Sequence, residues 1–145
     1  MKITFEDCLS KKKIFRFEQA KNLVAVELED AKIDLESAEK DLGGSNFKWA
    51  TIKGYYSMFH SGRALLYSRG YRERGHYCLY LALKKFFADE GKIEPKIIED
   101  FYNSMIVRED ADYHRKFSQQ KAKLVITSAA KFLSTAKDLL LTKNG

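Results

Sequence analysis

The stretch VAVELEDAKIDLESAEKDLGG, running from Val24 to Gly44, decides the fold class. Val24, Leu28, Ala31, Leu35, Ala38 and Leu42 recur at alternating spacings of four and three. On a helix of ~3.6 residues per turn these positions share one face, and that face must be buried. The pattern extends back to Phe17, so a long helix is expected over 17–42. Gly43-Gly44 stops it.

Reading outward, Ser45 or Asn46 is placed to cap a second helix. Trp49, Ile52, Tyr56, Phe59, Arg63 and Leu66 follow, and the helix ends near Gly70. Gly54 and Gly62 interrupt it and mark close helix contacts. Tyr55, Tyr56, Phe59 and Tyr67 join Trp49 in a dense aromatic set, which a packed bundle core explains; stacking on RNA bases is the other reading. Tyr71 to Gly75 form a turn. A third helix is expected from His76 to Glu90 on Leu79, Leu83, Phe86 and Phe87, with Gly91 ending it. Pro95 suits the first turn of a short fourth helix carrying Ile97, Ile98, Phe101, Tyr102 and Met105. The last helix is expected to start near Asp110–Asp112 and to reach about Leu141. One stripe on it is Tyr113, Phe117, the Lys121 stem, Leu124 and Ser128. Alongside runs a second, Ala122, Val125, Ala129, Leu133, Ala136 and Leu140. Near the start, Thr4 can cap a brief helix through Leu9, with Asp7 as its box partner. No region reads as a strand.

The expectation is therefore an all-α fold in one domain spanning residues 1–145. It is an up-and-down bundle of four main helices plus a short additional N-terminal or connecting helix, with the N-terminal arm laid across it. Helix faces broader than one core needs point to a homodimer.

The chain has 145 residues, 45% of them hydrophobic and 32% charged, enough for a core without metal or disulfide staples. No stretch approaches the ~20 apolar residues of a membrane span, and the N-terminus lacks a signal-peptide pattern. Cys8 and Cys78 fit no metal spacing and need not pair, so a reducing cytoplasm is expected. The formal charge of +6 would help attract a polyanion. It is spread over Lys11 to Lys13, Arg69 to Arg74 and Lys116 to Lys123, as on an ordinary soluble surface. There is no glycine-rich phosphate loop, no zinc spacing and no inward Glu-x-x-His repeat, so no metal or cofactor is expected. Asp34, Glu36 and Glu39 read as solvated surface.

The segment REDADYH, from Arg108 to His114, sets a permanent cation and an imidazole close together in a chain with three histidines. Such a pair can do acid–base chemistry on a phosphodiester. It can equally be a salt-bridged helix start. Of the other histidines, His60 reads as a packing and hydrogen-bonding group and His76 as a residue bordering the third helix. Cleavage of RNA by its own 2′-hydroxyl needs a base, an acid and positive charge on the phosphorane. His114 is the candidate acid or base and Arg108 the phosphate clamp. Tyr113 is a candidate to orient substrate, and Asp112 to fix a tautomer or cap the helix. Arg63 either satisfies an acid within the bundle or lines the cleft; Arg115 completes the candidate substrate contacts. In a continuous helix Arg108 and His114 would be about 240° apart. They converge only if Arg108 lies in an entry turn or a second subunit contributes.

YYSMFHSGRALL, from Tyr55 to Leu66, closely resembles the second-helix signature of HEPN domains, the higher eukaryote and prokaryote nucleotide-binding family. Arg108 to His114 resembles that family's arginine, spacer of four to six residues, and histidine, and Ala111-Asp112-Tyr113 is similar to a group recurring there. The resemblance covers about Phe17 to Leu140. It implies a helical bundle that usually dimerises, with two copies of the motif lining a shared cleft. It also implies a metal-independent endoribonuclease acting as a toxin or in RNA processing, or else a non-catalytic dimeric module binding a nucleotidyltransferase antitoxin or a nucleotide. In the family the residue after the arginine is usually asparagine, aspartate or histidine; here it is Glu109. With Asp110 it puts two negative charges beside the site; His114 favours the first reading and Glu109 the second, and the nuclease is the expectation with the binding module as its alternative.

Overall fold

The computed structural model describes residues 2–141. Helix α1 (Phe5–Ser10) opens with the expected box: Asp7 N–H donates to Thr4 Oγ1 at 3.1 Å, and Thr4 N–H donates to Asp7 Oδ2 at 2.9 Å. Strand β1 (Ile14–Arg16) follows, then α2 (Val24–Gly43), α3 (Phe47–Ser68), strand β2 (Tyr71–Glu73), α4 (His76–Leu83), α5 (Pro95–Tyr113) and α6 (Gln119–Leu141).

The architecture is the anticipated all-α bundle, and α3 is its axis. It packs on α2, α6, α5 and α4. Its glycines explain the closeness. A methyl group on Gly54 would sit 3.0 Å from Val125 Cγ1 of α6, and one on Gly62 would sit 3.0 Å from Leu83 Cδ1 of α4. Small residues on α2 serve the same end: Ala31 and Ala38 are fully buried, and the Ala31 carbonyl accepts a 2.7 Å bond from Ser57 of α3.

Several boundaries differ from expectation. The first long helix starts at Val24, because Ala20–Leu23 is a 3₁₀ turn. Asn46 occupies the N-cap of α3, but its side chain makes no capping bond; Ser45 beside it takes φ 61. The segment read as a turn, 71–75, contains β2, paired antiparallel with β1 through Ile14 and Glu73, Phe15 and Arg72, and Arg16 and Tyr71. Three-residue strands are too short to display a period-two pattern. The third helix is α-helical only to Leu83; Lys84–Ala88 is a π turn. The stripe Tyr113, Phe117, Leu124 is exposed, and α6 turns Ala122, Val125, Ala129, Leu133 and Ala136 to the core instead.

The two cysteines are joined. Cys8 of α1 bonds Cys78 of α4 across 70 positions of sequence, and both are buried. The N-terminal arm is thus held by a covalent tie and by the β1–β2 ladder. Among the described residues no helix is long and apolar enough to cross a membrane.

The largest difference concerns the functional segment. Helix α5 does not stop near Met105; it runs on to Tyr113, and α6 begins only at Gln119. No glycine or proline lies between Met105 and Tyr113. Two i,i+4 ion pairs, Arg108 with Asp112 and Asp110 with His114, support the extra turns. The chain leaves the helix at Arg115, φ 55, while the Asp110 carbonyl accepts from both His114 N–H and Lys116 N–H.

Candidate functional site at the end of helix α5

Arg108 lies within α5 rather than in an entry turn. Its side chain is 11% exposed and turns toward α3. Nη2 donates to the Tyr56 hydroxyl at 2.9 Å and sits 3.2 Å from Asp112 Oδ2. The guanidinium lies over the rings of Tyr56 at 5.2 Å, Tyr113 at 5.4 Å and Tyr55 at 5.8 Å. This aromatic box fits a planar, weakly hydrated cation better than it would an ammonium. Arg108 Nε is buried without a hydrogen-bond partner among the described residues.

His114 is the C-cap of α5. Its side chain is 61% exposed, and Nδ1 is 3.2 Å from Asp110 Oδ1. Within one chain, then, Arg108 and His114 are each engaged by a different aspartate. Arg108 faces inward over tyrosines; His114 faces water. Tyr113 roofs Arg108 while staying 67% exposed, and Arg115 is exposed at the turn.

Against the same two tyrosines stands a residue that the spacing of the chain does not single out. His76 opens α4. Its Nδ1 is 2.6 Å from the hydroxyl of Tyr55, a fully buried residue. The imidazole stacks on Phe59 at 4.4 Å and on Tyr55 at 5.6 Å, with the Tyr56 ring edge-on at 6.1 Å. Burial holds the His76 pKa below that of an ordinary histidine, and the cations Arg108 and Arg63 lower it further. Burial pushes the Tyr55 hydroxyl well above the usual tyrosine range. In the sequence, Tyr56 is legible as part of an aromatic stripe and of the Tyr55–Leu66 signature, and His76 only as a helix border; Arg108 on Tyr56, with His76 against Tyr55 and Tyr56, joins three helices.

Arg63 belongs to a second, more enclosed cluster between α2, α3 and β2. Its Nε donates to both oxygens of buried Glu73, at 3.2 and 3.1 Å, and Nη1 lies 3.8 Å from Glu27 Oε1. His60 bridges two carboxylates: Nδ1 to Glu27 Oε1 at 2.9 Å and Nε2 to Asp34 Oδ2 at 3.5 Å. Asp34 is therefore half-buried beside His60 and not solvated surface, whereas Glu36 and Glu39 are exposed. Burial alone would lower the His60 pKa, but Glu27, Asp34 and Asp30 together hold it above the usual value. Donor atoms of Glu27, Asp30 and His60 lie within 4.8 Å of one another. Both His60 nitrogens and the Arg63 guanidinium already balance the negative charge there, so this cluster reads as an ion-pair seam.

The comparisons with known proteins come down on the same helices. A family model described as HEPN domain matches residues 24–140. A protein named "Putative toxin MJ0142" from Methanocaldococcus jannaschii is 24% identical over 119 residues, covering 81% of each chain. "Putative toxin MJ0605" from the same organism is 28% identical over 123 residues, covering 77% of this chain and 90% of that one. Among solved structures, TT1696 from Thermus thermophilus superposes with a TM-score of 0.71 at 20% identity, over 82% of this chain and 99% of that one. That likeness is one of fold.

Proposed function

The chain belongs to the HEPN domain family, and from that membership we propose that it is a metal-independent endoribonuclease with a toxin or RNA-processing role. The observation that carries this reading is the end of α5, where Arg108 and His114 stand six residues apart on either side of the helix terminus. Two relatives that bear the name "Putative toxin", matched over most of their length, support it.

The chemistry needs no group beyond the chain and the substrate. A base removes the proton of the ribose 2′-hydroxyl, the 2′-oxygen bonds to phosphorus, and the bond to the 5′-oxygen breaks as that oxygen takes a proton. The products are a 2′,3′-cyclic phosphate and a 5′-hydroxyl. His114 moves the proton and Arg108 neutralises the phosphorane. Because the two side chains of one copy diverge, the reactive pair is Arg108 of one copy with His114 of a second. Tyr113 and Arg115, exposed at the same end, meet the RNA strand, and Asp112 sets the Arg108 fork.

A mixing experiment tests this. Purified wild type should cut single-stranded RNA in the presence of a chelator, and Arg108→Ala and His114→Ala should each be inactive. Mixing the two inactive variants should recover about a quarter of wild-type activity, since half the dimers are mixed and each holds one intact site. No cleavage by wild type would reject the nuclease. Unchanged cleavage by His114→Ala would reject its role.

A second reading rests on Asp112 and Asp110, which already pair with the two motif side chains, and on Glu109 beside them. There the chain is a non-catalytic dimeric module that binds a nucleotidyltransferase antitoxin or a nucleotide. Its signature is a stable complex with such a partner in a protein that leaves RNA intact.

A further inference from the structure

We propose that His76 is a further phosphate-binding group of this site, presenting its Nε2–H to the same strand that Arg108 holds. The substrate named here rests on the nuclease reading; the assignment of the donor does not.

The direction of the Tyr55–His76 bond carries the argument. Tyr55 is fully buried, and His76 Nδ1 at 2.6 Å is the hydrogen-bond partner of its hydroxyl. A buried hydroxyl proton needs an acceptor. If Nδ1 carried the imidazole proton, it would donate to the phenol oxygen and leave the phenol proton stranded. The Tyr55 hydroxyl therefore donates to Nδ1, and the single proton of the neutral ring resides on Nε2. The lowered basicity of His76 keeps the ring in that neutral form.

The other end of the ring is the open one. His76 is half-buried, and Nε2 has no hydrogen-bond partner among the described residues. Its neighbours are aromatic faces and cations. Phe59 stacks beneath it at 4.4 Å, and Arg63 lies over the same Phe59 ring at 5.1 Å. Tyr55 and Tyr56 also contact it, and Arg108 rests over both of those rings. Arg63, His76 and Arg108 thus border one aromatic row along α3. Arg63 is committed to Glu73 by its Nε. His76 also has a donor to spare, on the same tyrosine rings that carry the Arg108 guanidinium. A neutral N–H beside a cation suits an anion, and a tautomer fixed by a buried partner aims that N–H before the ligand arrives.

Binding of a single-stranded RNA carrying 2′-O-methyl groups, which no 2′-hydroxyl chemistry can cut, measures the role directly. His76→Ala should weaken binding about tenfold, the loss of one hydrogen bond to a charged group. His76→Gln, whose amide can present N–H near the same place, should return to within about threefold of wild type. On cleavable RNA, His76→Ala should raise KM with kcat nearly held, as expected for binding lost equally from ground and transition states. Nitrogen-15 shifts of the wild-type imidazole should report the Nε2–H tautomer, and that resonance should move on adding the strand.

A Nδ1–H tautomer overturns the proposal, as does an Nε2 resonance unmoved by RNA. So does His76→Ala that binds like wild type, or His76→Gln as weak as His76→Ala, which would make the ring a packing element. Wild type that binds the blocked strand but cuts no RNA rejects the nuclease reading alone, and His76 is then judged on the binding figures. Wild type that binds no strand overturns the His76 assignment whatever the fate of the nuclease.

Discussion

Arg108 has one face on tyrosine rings and one arm on Asp112, so a phosphate reaching it competes with a carboxylate already in place. Asp112→Asn removes the competitor and keeps the shape. RNA affinity should rise severalfold, because an ion pair open to solvent on one side contributes only about 0.2–1 kcal/mol while its carboxylate repels the ligand. Arg108→Lys keeps the charge but loses the planar fork and the stacking, so it should bind RNA almost as poorly as Arg108→Ala. Binding titrations at fixed salt check both. His60 gives a prediction in pH. Its folded-state value sits above the unfolded one, so its contribution to stability is whole below about pH 6 and fades as pH climbs through the raised value. Urea midpoints of wild type and His60→Ala should therefore lie furthest apart in mild acid and draw together as the pH is raised. At this scale the sequence offers Arg108 and His114 as candidates through their spacing taken together with the Tyr55–Leu66 signature. It does not expose Asp34 facing His60 or Tyr55 facing His76, because those partners are set by how helices cross.

The helices themselves are legible wherever an apolar stripe runs beyond three turns, as in α2 and α3. Their ends are less so. The sequence puts the join between α5 and α6 too early because Asp110 and Asp112 resemble a helix start, whereas here they serve as i,i+4 partners near a helix end. Acids at that end oppose the helix dipole, a cost suggesting that they are kept for Arg108 and His114. Strands β1 and β2 exist through each other and the disulfide rather than through their own pattern. Glycine placement in α3 is testable. Gly54→Val should destabilise by about 1–3 kcal/mol, since its added carbons meet Val125 and Ile126 of α6. Gly43→Ala, at the open end of α2 with nothing near its Cβ, should be neutral or gain up to about 1 kcal/mol. Thermal melts of the two variants should move in different directions or by clearly different amounts.

For the molecule as a whole, the hydrophobic seam between α3 and its neighbours holds the bundle, and the Cys8–Cys78 bond holds the arm to it. Nothing in the spacing of two cysteines 70 positions apart demands that bond; only the meeting of α1 with α4 brings them together. Cys8→Ser with Cys78→Ser should lower stability by about 2–4 kcal/mol, and a reductant should do the same to wild type once it gains access to the buried sulfurs. Denaturant midpoints with and without reductant measure this. The same bond turns the chain between its two cysteines into a closed ring that contains α2 and α3. A proteolytic motor hauling the chain in from its C-terminus would strip away α6 and α5 as a single thread. At Cys78 it would then meet the chain on both sides of Cys8 as well, and would have to swallow several strands at once or halt until the sulfur bridge is opened.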